Sequence, residues 1–341
     1  MKKILLGITG VAVLLSALGA WQINRWMDTP HGRLTAPAAV LLKLMALMAD
    51  PKTDLDPVAT RAARRKSIAL LTGAPTPVFK VEDLRIPGPA LPIPVRIYHP
   101  TETRAASPVI VYYHGGGWVV GDLDSHDNLC RSLALKAKAI VVAVEYRLAP
   151  EHGFPAAADD AYAALLWVVA NTRTLHVDPS RIAVAGDSAG GNLAAVVGQL
   201  ARDLGGPKLH AQILLYPAVD LSRMDRQSTT DFASGFFLTR ERMSWFVDLY
   251  VPDKATRTSP KVSPLLAANL HGLAPAIVVT AKFDPLRDEG EEYAAALRKA
   301  GVPVRARRFE GMIHGFMSMD RWFPEVGDAT DWVSQQLGEL P

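Results

Sequence analysis

The chain has 341 residues, of which 49% are hydrophobic, 21% charged and 7% aromatic. This length fits one large α/β domain or two small ones with a substantial core, and the composition excludes a disordered or fibrous protein. The single cysteine, Cys130, excludes an intramolecular disulfide and a multi-thiolate metal site. The net charge is +3, and three of the bases, Lys2, Lys3 and Arg25, lie in residues 1–26, where there is no acid. The rest of the chain is formally neutral, so no basic field is left to attract nucleic acid.

Residues 4–21 carry no charge and follow a Met1-Lys2-Lys3 start, which is the pattern of a secretion signal or a membrane anchor. Ala17, Gly19 and Ala20 are small enough for a cleavage site, while Trp21, Arg25 and Trp26 suit a membrane interface. Two readings stay open: an exported protein, periplasmic or secreted, or one attached to a membrane through residues 4–21. A buried core helix fits poorly, because the run is apolar on every side.

Residues 38–71 read as helical, with Leu41, Leu42, Leu44, Met45 and Met48 as apolar positions and Pro51 and Pro57 as interruptions. Arg61, Arg64, Arg65 and Lys66 form a short basic cluster, read as a solvated helix face rather than a binding site. Residues 78–86 and 93–99 predict strands around the turn Pro87-Gly88-Pro89. Val/Ile-rich runs at 109–113, 140–145, 182–185, 213–216 and 277–280 follow, each of strand length and apolar enough to be buried on both faces, and 304–309 is expected to form a last strand. They alternate with helical patterns near 125–137, 157–171, 189–203, 287–300 and 328–338. This order predicts a mostly parallel, doubly wound eight-stranded sheet. An aromatic-rich helical stretch at 232–251 breaks the rhythm and predicts a cap inserted at about 222–256. The expected division is 1–26 as address, 27–77 as N-terminal cap helices and 78–341 as the main domain. Residues 304–309 offer a sheet edge through which a homodimer could pair.

Two glycine-rich turns carry the chemistry. Gly186-Asp187-Ser188-Ala189-Gly190-Gly191 stands between a strand and a helix, where a sharp turn lifts the Ser188 hydroxyl to the N-terminus of a helix. His114-Gly115-Gly116-Gly117-Trp118 directly follows the 109–113 strand, and its glycines let backbone N–H groups approach a substrate oxygen. A base for Ser188 is sought after it in the chain, where His210, His271 and His314 lie. His210 precedes a strand, at the wrong end of the sheet, and His271 lies in a loop before one. His314 follows the last strand and reaches the active edge. Asp284, just past the 277–280 strand, is the favoured acid. Asp288 is its rival, placed better as a first-turn acid of the next helix.

With these residues in hand, the sequence resembles the hormone-sensitive-lipase-like carboxylesterases, a branch of the α/β-hydrolase fold. The resemblance spans roughly 78–340 and rests on six motifs. They are 114–118, Gly121-Asp122 with Ser125-His126-Asp127, Glu145 to His152, 186–191, 284–289, and His314-Gly315-Phe316. It implies a short-to-medium-chain ester substrate, no cofactor and a helical cap. It also implies Ser188 as nucleophile, His314 as base, Asp284 as orienting acid, and an oxyanion hole from the N–H groups of Gly116, Gly117 and Ala189. The 146–152 block is expected to tie loops beneath the site. Lys282, where relatives often carry an acid, and Gly153, for a frequent proline, depart from the pattern. The expected reaction is two-step acyl transfer through an acyl-enzyme. Trp118, Phe236, Phe237, Trp245 and Phe246 are candidates to line the acyl pocket, or else to pack the cap. The alternatives are an amide-directed hydrolase with the same triad and a non-catalytic ligand-binding relative.

Overall fold

In the computed structural model, which describes residues 19–48, 55–102 and 106–340, the apolar runs become strands of one eight-stranded sheet. They are β1 (Lys80–Ile86), β2 (Ile93–His99), β3 (Ser107–Tyr113), β4 (Ile140–Val144), β5 (Val177–Asp187), β6 (Ala211–Leu215), β7 (Ala276–Phe283) and β8 (Val304–Ile313). Their spatial order is β8-β7-β6-β5-β3-β4-β2-β1. β1 and β2 run antiparallel to their neighbours, and the other pairings are parallel. A two-residue ribbon, Asp28–Thr29 with Gly32–Arg33, stands apart from it.

The period of two along β3 divides the core. Val109, Val111 and Tyr113 join the apolar cluster on one face, whereas Ile110 and Tyr112 join the cluster on the other. Both layers are covered by helices, which is why β4 and β6 are buried at every position. The crossover helices are α3 (Asp127–Ala137), α4 (Ala156–Ala170), α5 (Ala189–Asp203), α8 (Arg287–Lys299) and α9 (Glu325–Gly338).

Ahead of the sheet come α1 (Ala36–Met48) and α2 (Pro57–Leu71). Asp56 starts α2 by accepting from Ala59 N at 2.6 Å, with Pro57 in the first turn. Between β6 and β7 the inserted stretch forms α6 (Gln227–Asp231) and α7 (Arg240–Tyr250). The basic cluster on α2 departs from its expected role: Arg65 is exposed, but Arg61 and Arg64 turn toward the main domain. The address at 4–21 falls mainly on residues outside those described; among the described residues, no helix is long and apolar enough to cross a membrane.

Candidate active site

β5 ends at Asp187 and α5 begins at Ala189, leaving Ser188 alone between them at φ 55°, ψ −118°. A non-glycine residue there is strained by about 1–3 kcal/mol, so its surroundings must hold it. Ser188 N donates to Leu215 O at 2.9 Å, and its own carbonyl accepts from Asn192 N at 3.0 Å. The flanking glycines are required by contact: a Cβ on Gly190 would lie 1.9 Å from Tyr113 O, and one on Gly186 2.2 Å from Gly190 O. Backbone therefore meets backbone where β3, β5 and α5 converge, which only glycine permits.

His314 arrives from the edge strand β8 and Asp284 from β7 beside it. β7 ends at Phe283, one residue before Asp284, and β8 loses its regular register between Phe309 and Ile313, just before His314. His314 Nε2 lies 2.9 Å from Ser188 Oγ, and Nδ1 lies 2.7 Å from Asp284 Oδ2. The other oxygen of Asp284, a fully buried residue, accepts from Leu286 N at 2.8 Å. A carboxylate at Nδ1 favours the proton on that nitrogen and leaves Nε2 to accept from the serine. The ring of Tyr216 meets His314 edge-on, with centroids 5.0 Å apart.

The other candidates point elsewhere. Asp288 accepts from Ser228 N at 2.7 Å and pairs with Arg287, in the first turn of α8. His210 faces Leu337 O at 3.4 Å, and His271 is exposed in its loop. Lys282 pairs with Glu310 at 3.2 Å. Within the 146–152 block, Arg147 grips Asp160 and Glu151 pairs with Arg61, so both tie separate segments together.

The loop after β3 bends through Gly116 at φ 127° and Gly117 at φ 60°, and Val119 N and Val120 N both donate to Gly116 O, at 3.1 and 2.9 Å. Its root is pinned by Asp187, whose Oδ1 accepts from Gly115 N at 2.8 Å and from Tyr112 OH at 2.7 Å. Burial pushes the Asp187 carboxyl up, but His126, 3.2 Å away, and these donors hold it well below the ordinary carboxylate range. Burial and the neighbouring His126 push His114 down to about 4, so it is neutral at physiological pH. In the sequence Asp187 is only the variable position of a serine motif, and nothing local marks its contact with His126 of the Ser125-His126-Asp127 motif.

The proposed pocket aromatics divide. Phe246 of α7 lies directly over Gly117, since a Cβ there would come 2.2 Å from its ring, and Phe237 lies beside Gly315. Trp245 sits against Phe246 and helps line an open groove of about 800 Å³ with Met224, Ala233 and Leu55. Phe236 stacks on Phe283 at the end of β7 and meets Phe232 edge-on, so it packs against the core of the main sheet. Trp118 is buried against Tyr250, with centroids 4.5 Å apart and planes 5° from parallel.

Comparison with known proteins points to the same fold. A family described as alpha/beta hydrolase fold matches residues 110–318. The carboxylic ester hydrolase LipN of Mycobacterium tuberculosis is 48% identical over 274 residues, covering 78% of this chain and 72% of that protein. The ethyl acetate hydrolase of Pseudomonas putida is 42% identical over 250 residues, covering 72% and 78%. The solved hyperthermophilic esterase of the archaeon Pyrobaculum calidifontis superposes with a TM-score of 0.84 at 43% identity, over 87% of this chain and 96% of that one. The chain therefore belongs to the hormone-sensitive-lipase-like carboxylesterases of the α/β-hydrolase fold, serine enzymes that hydrolyse carboxylic esters.

Proposed function

We propose that this carboxylesterase cleaves short-to-medium-chain acyl esters with Ser188 as nucleophile, His314 as general base and acid, and Asp284 as the group that orients and steadies the imidazole. The carrying observation is the unbroken run from Asp284 Oδ2 through His314 to Ser188 Oγ, at 2.7 and 2.9 Å. His314 Nε2 takes the hydroxyl proton as Oγ attacks the ester carbonyl, and the imidazolium then returns it to the departing alcohol. Water repeats the sequence on the acyl-enzyme and regenerates Ser188. Negative charge on the tetrahedral oxygen falls to the N–H groups of Gly116, Gly117 and Ala189, each worth about 3–4 kcal/mol when well placed. Phe246 over Gly117 and Phe237 beside Gly315 wall the acyl side, which supports a bounded rather than an open acyl pocket.

The cap in this reading consists of α1 and α2 together with the 222–256 insertion. Residues 4–21 direct export or anchor the protein to a membrane, and the outer edge of β8, where Arg305, Ala306, Arg307 and Arg308 are exposed, is the surface for pairing two copies. Purified Ser188→Ala should lose turnover of p-nitrophenyl butyrate, and a wild-type acyl series from acetate to palmitate should peak at about four to eight carbons. Undiminished turnover by Ser188→Ala would overturn the assignment, and a long-chain peak would overturn the substrate class.

A further inference from the structure

A solvated helix face does not account for Arg61 of α2. Its Nε donates to Val119 O at 2.8 Å and its Nη2 to Ala149 O at 2.8 Å, while Nη1 and Nη2 meet the Glu151 carboxylate at 2.8 and 2.7 Å. The Glu151 side chain is 52% exposed, and an ion pair so wet contributes little by itself. The two carbonyl contacts are what distinguish this residue.

The carbonyl of Val119 and the N–H of Val120 belong to one planar peptide unit and point in opposite directions. Arg61 holds the first, and the second donates to Gly116 O at 2.9 Å. The carbonyl of Gly116 and the N–H of Gly117 form a second such unit, so holding that carbonyl aims the Gly117 N–H away from it. Two amides thus stand in series between the guanidinium and a donor of the oxyanion loop. A cation at the carbonyl end draws electrons along the series and makes each N–H a stronger donor; hydrogen-bonded amides reinforce one another by roughly 10–30% per bond.

We propose that Arg61 is a positioning residue for ester hydrolysis, which aims and polarises the Gly117 N–H through the Val119–Val120 peptide. The N-terminal helix α2 is then part of the hydrolytic machinery and more than a lid over it. This rests on the reading of Gly116, Gly117 and Ala189 as the oxyanion donors.

The test compares Arg61→Ala, Arg61→Gln and Arg61→Lys with the wild type, by kcat and KM on p-nitrophenyl butyrate and by the affinity of a trifluoromethyl ketone, whose adduct places an oxyanion in the hole. Loss of a whole oxyanion donor costs about 10²–10³ in kcat, so a misaimed one in Arg61→Ala should cost about tenfold with KM within about twofold. Ketone affinity should fall by the same factor. Arg61→Lys, which retains the charge, should exceed Arg61→Gln in both measures, and Lys66→Ala on the exposed face should match wild type. A native kcat in Arg61→Ala, or a kcat lost without loss of ketone affinity, would overturn the proposal. Should Arg61→Ala fail to fold by circular dichroism, equal kcat in the Lys and Gln variants would overturn it as well. Wild-type enzyme that does not bind the ketone, or active Ser188→Ala, would instead fault the active-site reading, and this proposal with it.

Discussion

At the residue scale, the site depends on atoms that are absent as much as on those present. Because a Cβ on Gly190 would sit 1.9 Å from Tyr113 O, Gly190→Ala must separate β3 from α5. An expected loss of about 3 kcal/mol in urea unfolding follows, with turnover falling further than stability. A near-native midpoint would show that the strand and helix can part without cost. Asp284→Asn keeps the shape of the acid but favours the wrong imidazole tautomer, and kcat should fall about 10⁴-fold at neutral pH. A loss of tenfold or less would point to another acid. That Ser188, Asp284 and His314 come together was legible because motif, chain order and strand ends all pointed to them. Asp187 and Arg61 were not. Each acts on backbone groups of a loop that lies far away in sequence, and no local pattern records such a contact.

At the scale of elements, apolar runs marked where strands are buried rather than where they end. β5 begins at Val177, although its apolar run starts only at Ile182, because pairing of Ser107 with Val177 extends it through exposed residues. β8 likewise continues past the expected 309 to Ile313, through an irregular stretch against β7 that delivers His314. The loop of Asp284 is clasped by the inserted helix α6. Ser228 Oγ and Thr229 Oγ1 both donate to Pro285 O, at 2.9 and 3.1 Å. Ser228→Ala combined with Thr229→Val should leave that carbonyl without donors and cost about 1–3 kcal/mol. Chemical denaturation would check this; an unchanged midpoint would mean the clasp carries no load.

At the scale of the molecule, one largely buried polar knot joins the stretch inserted between β6 and β7 to α8. Arg226 contacts Asp220 at 2.8 Å, Glu292 at 2.7 Å and Glu289 at 3.7 Å, and Glu289 also accepts from Val219 N at 2.7 Å. Burial, opposed by Arg226 and by that N–H, pushes Glu289 up from 4.5 to about 8. The native state therefore binds the extra proton between those values, and this group's stabilisation is lost as pH rises from about 4.5 toward 8. Glu289→Gln, which cannot titrate, should flatten the decline of Tm over that range; identical slopes in the two proteins would refute the idea.

The sequence by itself determined the fold class and the strand order along the chain, and it singled out the serine, acid and histidine of the proposed triad, since these follow from hydrophobic period, glycine placement and chain order. Only the tertiary structure decided what holds the glycine loop after β3. Its supports are a carboxylate at 187, a guanidinium at 61 and a phenyl ring at 246, brought together by packing of three separate elements. Contacts between elements depend on the path of the whole chain, and a one-dimensional pattern of residue types does not contain that path.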